Sequence, residues 1–221
     1  MVRGVSVRWC GFGIALSLML AGCGATRSSA DNPTSFGGLT PNTPDMEAGL
    51  VAIAPGFDIR TYKAVVVEEF QVTDPEMKDE GDLRFNAKMM VYLHVQLVRR
   101  LRECGLFQQV NSTTDTQAKA ADSSTLRLRG VVPRLGRGSQ AARYFAGLYG
   151  AGRTRAQADL QLVDAASGKV GLVTADRRVA SIGMFGGSDE EHLEESFNDL
   201  ARDFARFLVR LSQGQAPKAA P

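Results

Sequence analysis

The chain is poor in the residues that most enzymatic chemistry uses. It has two histidines, so histidine-based catalysis has little to draw on. His94 lies one turn after Met90 near an apolar helical stripe and reads as a packed or rim histidine. His192 fits neither HExxH nor another metal-ligand spacing, and reads as part of a solvated face. There is no GxSxG nucleophile elbow and no CxxC pair. The acids Asp74, Glu76, Asp79, Glu80 and Asp82 lack the order of a calcium loop and read as a solvated loop. No catalytic residue, metal or cofactor is therefore expected. Apolar runs are short as well, none reaching the roughly 20 residues that cross a membrane as a helix.

What is present begins at the amino terminus. "MVRGVSVR" carries Arg3 and Arg8 without an acid, and "WCGFGIALSLML" follows as an apolar stretch, the pattern of a secretory signal over residues 1–22. Next comes "LAGC", Leu20, Ala21, Gly22 and Cys23, which resembles the lipobox of bacterial lipoproteins. That resemblance implies a diacylglycerol on the Cys23 thiol, cleavage just before Cys23 and acylation of the new amino terminus, an anchor to a membrane rather than a span. Each buried CH₂ contributes about 0.8 kcal/mol, so several chains hold firmly. Gly24, in place of an aspartate, resembles the sorting signal for the outer membrane, with the protein facing the periplasm. Removing the signal leaves 24 basic against 24 acidic residues, a balance that gives no support for nucleic-acid binding. Cys104 is then the one free thiol, and its place on a helical stripe predicts burial.

Residues 23–58 are rich in Ser, Thr, Asn, Gly and Pro and predict a lipidated cysteine followed by a flexible tether. A tether of that length would reach roughly 30 to 35 Å. Residues 59–213 predict one α+β domain, and 214–221 a disordered tail. "YKAVVVEEF" reads as a strand, and Met90, Leu93, Leu97, Leu101 and Cys104 mark one face of a helix that Gly105 ends. "LFQQV", "TLRLRGVV", "RAQADLQLV" and "KVGLVTADRRVASI" read as four further strands, with a hairpin-like turn at "DAASG". Their polar alternate positions predict a sheet covered on one side only. Ser188 and Glu191 form a capping box for a last helix carrying Leu193, Phe197, Leu200, Phe204, Phe207 and Leu211. The order β-α-β-β-β-β-α predicts a two-layer sandwich, with a mainly antiparallel sheet of about five strands and two helices on one face.

"GLYGAGRT", residues 147–154, comes within one residue of a phosphate-binding loop. Such a loop must open a helix, and the alternation after Thr154 predicts a strand instead. Its glycines read as a backbone device at a strand entrance. Beside them Arg143, Tyr144, Phe145, Leu148 and Tyr149 form an aromatic stretch where a loop is ordinarily polar. Either these aromatics fold back on the sheet, or they form a surface for self-association, an envelope protein partner or the membrane.

The lipobox, "AVVVEEF", the stretch from Gly130 to Val170 and the final aromatic helix together resemble the uncharacterised bacterial lipoproteins grouped as domain of unknown function 4410. The resemblance covers roughly residues 60–211, most strongly at Arg143, Gly147, Gly150, Gly152 and the turn at 164–168. It implies a location and a fold but no activity. More distantly, the element order is similar to the α/β domains of the curli-secretion lipoprotein and the TolB amino-terminal domain. The function expected is a non-catalytic, lipid-anchored component of the cell envelope. A small-ligand binder or enzyme whose site the motifs do not display is the alternative.

Overall fold

A computed structural model of the chain describes residues 26–75, 80–113, 123–136, 154–180 and 188–219. The expected order holds from residue 64 onward. Strand β4 (Ala64–Val67), with its short continuation β5 (Gln71–Val72), leads into helix α1 (Glu80–Glu103). Strands β6 (Gln109–Ser112), β7 (Thr125–Gly136), β8 (Thr154–Asp164) and β9 (Val170–Ala180) follow, then helix α2 (Asp189–Ser212). Three further strands precede them: β1 (Thr26–Ser28), β2 (Thr43–Asp45) and β3 (Gly49–Ile53). The described residues thus form a nine-stranded sheet of order β2-β3-β9-β8-β7-β4-β6, with β1 also on β9 and β5 also on β7. It is an α+β sandwich with more strands than expected, and it is mixed. β4 pairs parallel to both β6 and β7, because the α1 crossover returns the chain to the same end of the sheet.

Local chemistry explains the element ends. The Ser188 hydroxyl accepts from the Glu191 amide at 3.2 Å, and the Glu191 carboxylate accepts from the Ser188 amide at 2.9 Å. Gly105 takes a φ of +68° just past α1, where a side chain would be strained. At the β8–β9 turn Asp164 accepts from the Ser167 amide and hydroxyl, and Gly168 again has positive φ. Both helices lie on one sheet face. Leu93, Leu97 and Leu101 of α1 and Leu193, Phe197 and Phe207 of α2 are buried with Leu126, Leu128, Leu160 and Leu162 of the sheet. The helices run side by side, Lys88 reaching Glu190 and Glu194, and Arg99 and Arg100 both donating to Asn198.

The expected tether is the main correction. From Thr26 onward these residues pack against the sheet: β1 and β3 line the same edge of β9, and Ala48, Val51 and Ile59 are buried. A Cβ on Gly49 would lie 2.3 Å from the Ala175 carbonyl, so only glycine permits this approach. The outer sheet face, expected to be open, is covered in part by the same segment. The Asp31 amide and carbonyl bond to the Gln157 side chain, and the Thr34 amide donates to Asp159 at 2.7 Å, leaving Gln157 and Asp159 fully buried. The segment's polar composition, which read as mobile, supplies the partners that these buried polar side chains need. The tail is corrected likewise for residues 214–219: the Lys218 amide donates to Asp45 and its carbonyl accepts from Met46.

Candidate functional site

Leu20, Ala21, Gly22 and Cys23, and equally Arg143, Tyr144, Phe145, Leu148 and Tyr149, lie outside the described residues. The elements that bracket them are described. β8 begins at Thr154, so the glycine-rich stretch does precede a strand and not the helix that a phosphate loop requires. Gly136 pairs with Arg155, Arg155 with Val179, and Val179 with Thr26, a single row across four strands. The chain therefore leaves for 137–153, and arrives from Cys23, at the same end of the sheet.

Four charged side chains pin that arrival. Arg27 of β1 donates to Asp176 through Nε at 2.8 Å and Nη2 at 2.9 Å, and its Nη2 also reaches the Glu47 carbonyl. Arg178 bonds to Asp176 at 2.8 Å and to Asp203 of α2 at 2.9 Å. Arg202 and Arg206 also face Asp203, at 3.1 and 3.7 Å, and pairing of every carboxylate with guanidinium groups makes burial of the cluster tolerable.

Both histidines are half-buried. His94 is half-buried, with Nδ1 bonded to the Glu68 carbonyl at 3.1 Å, Nε2 to the Ser112 hydroxyl at 2.7 Å, and Phe70 edge-on to the ring. His192 is half-buried rather than solvated, and its Nε2 has no hydrogen-bond partner among the described residues. Cys104 is half-buried, and burial pushes its thiol above the usual range, away from thiolate reactivity. No group of three His, Cys, Asp or Glu able to hold a metal occurs among the described residues.

The unexpected feature is the outer side of α1. Leu83, Val91 and Val95 are 58%, 65% and 52% exposed, and with Ala87 they form a ridge at steps of four. Beside it runs a groove of about 640 Å³ whose other wall is Phe70 and Val72 and whose floor is Met90 and His94. Glu80 and Asp82 stand at the ridge's upper end, with Arg84 beside Glu80, and Arg99 and Arg102 at its lower end, with Glu103 beside Arg99. The ridge was legible as a second apolar period in α1, but the stronger stripe through Leu93 and Leu97 overshadowed it.

The family model described as "Domain of unknown function (DUF4410)" matches residues 65–183, from β4 past the end of β9. The chain belongs to this family. Among solved structures it is similar to the PelC dodecamer from Paraburkholderia phytofirmans, at 17% identity over 76% of this chain and 96% of that one, with a TM-score of 0.44. A DUF330 protein from Xanthomonas campestris is 10% identical over 79% and 95% of the two chains, with a TM-score of 0.45. Lipoprotein GNA1162 from Neisseria meningitidis is 15% identical over 57% and 86%, with a TM-score of 0.35. No curated protein matches the chain. Among the described residues no helix is long and apolar enough to cross a membrane.

Proposed function

We propose that this DUF4410 member is a lipoprotein of the bacterial envelope, held by acylated Cys23 in the outer membrane and facing the periplasm. It works there by binding another envelope protein rather than by catalysis. The observation that carries the contact role is the outward ridge Leu83, Ala87, Val91 and Val95 beside its apolar groove. Exposed apolar rows rimmed by charge serve as interaction surfaces, and an i, i+4 ridge is the shape that receives a second helix.

The partner is an amphipathic helix of a different protein, running antiparallel to α1. Helices collect acids at their start and bases at their end. An antiparallel helix therefore sets its acids beside Arg99 and Arg102 and its bases beside Glu80 and Asp82. A photoreactive phenylalanine analogue at Val91 tests this in cells. The expected cross-link maps to an apolar helical face in another envelope protein and disappears with Val95→Asp. Cross-links to copies of this same chain, or none at all, would overturn it.

A further inference from the structure

The lipid anchor, taken with the pinned first strand, sets which part of the domain meets the bilayer. Thr26 is three residues past Cys23, and three residues span at most about 11 Å. Thr26 is no loose point of attachment: it pairs with Val179, and its neighbour Arg27 is locked by Asp176 and Asp203. Because β1 runs antiparallel to β9, the chain toward Cys23 leaves past the end at which β9 finishes. The reach of roughly 30 to 35 Å expected of a flexible tether is absent from the described segment.

We infer that the sheet end marked by Gly136, Arg155, Val179 and Thr26 rests on the lipid headgroups, with the strands rising away from the membrane. The partner is the phosphate-bearing bilayer surface. Arg155 is exposed at this end, and an arginine within a Debye length of anionic headgroups is attracted to them. Both helices also begin at this end, with Glu80 and Asp82 in one and Glu190 and Glu191 in the other, so the short link to Cys23 and not net charge sets the orientation. The opposite end is marked by Asp58, paired with Arg60, and Glu103, paired with Arg100. β8 is 11 residues long, so that end stands about 35 Å higher, at ~3.3 Å per residue.

This rests on acylation of Cys23, and the experiment separates the two. Full-length protein carrying Cys104→Ser is purified from membranes with one new thiol, Arg155→Cys at the anchored end or Ala166→Cys at the far turn. Each is labelled with a fluorophore and reconstituted into vesicles of phosphatidylethanolamine and phosphatidylglycerol containing a headgroup nitroxide lipid. The label at 155 should lose most of its emission and the label at 166 almost none. A Gly/Ser insert of about ten residues after Ala25, adding a reach of roughly 16 to 19 Å, should bring position 155 down to the far-end value. Equal quenching at both positions, quenching at neither, or no response to the insert overturns the orientation in protein whose Cys23 bears fatty acid by mass spectrometry. Absence of that fatty acid overturns the anchoring reading itself, and this inference with it.

Discussion

Residues 26–61 are largely polar yet pack against the sheet, with β1 and β3 paired to β9, whereas the α1 ridge from Leu83 to Val95 is apolar and faces outward. The contrast teaches that composition describes a segment's average preference, while burial depends on what surface is left for it to meet. β9 offers a free backbone edge and, with β8, a row of polar side chains. A segment rich in hydrogen-bonding groups satisfies both. The inner side of α1 already fills the space above the sheet, so its second apolar row has no partner within the chain.

The hardest blow to this contrast is to free the polar segment. Arg178→Ala removes a nearly buried guanidinium, leaving Asp176 to Arg27 and Asp203 to Arg27 and the more exposed Arg202 and Arg206. Breaking one side of such a cluster costs about 3–5 kcal/mol. Urea denaturation should show that loss, with new tryptic cleavage at Arg60 as β1 and β3 release. Unchanged stability would mean that the segment is held by its strand pairing alone.

A gentler change acts beneath the Asp31–Thr34 segment at Asp159, whose pKa burial raises above its ordinary value of 3.8. The folded state thus binds this proton more tightly than the unfolded chain. The resulting stability is fully present below pH 3.8 and lost as the pH rises through the native value. Asp159→Asn should remove that decline, so the variant gains on the parent as the pH rises across this window. Denaturation curves at several pH values check it, and parallel profiles would show that the segment over Asp159 does not keep it dry.

The smallest effect belongs to the ridge. Val91→Ser should alter stability by no more than about 0.5 kcal/mol, as surface changes do. A loss of several kcal/mol in the isolated protein would show that the ridge is covered by the chain itself, and the contrast would fall.

Much of the fold could be read from local pattern. The alternation in "TLRLRGVV" and "RAQADLQLV" became β7 and β8, Ser188 and Glu191 became a capping box, and the stripe through Leu93, Leu97 and Leu101 became core. The number of strands could not, because β1 to β3 are short, carry Pro44 and Gly49, and gain their stability from β9. Of the candidate site, the spacing of Leu83, Ala87, Val91 and Val95 was visible. Their exposure was not, since two apolar stripes on one helix look alike until something packs on one of them.

The sequence by itself determined the periodic elements, their caps, the likeness to the DUF4410 family and the place of Cys23 beside a lipobox. Each of these is written in residues a few positions apart. Only the tertiary structure decided that the presumed tether is part of the sheet, that α1 keeps an open apolar ridge, and that Thr26, Val179, Arg155 and Gly136 share one row. Those outcomes depend on pairings between residues up to 153 positions apart, Thr26 with Val179 among them. Such pairings follow from which edges and faces remain unfilled once the rest of the chain has packed, and no local period records that.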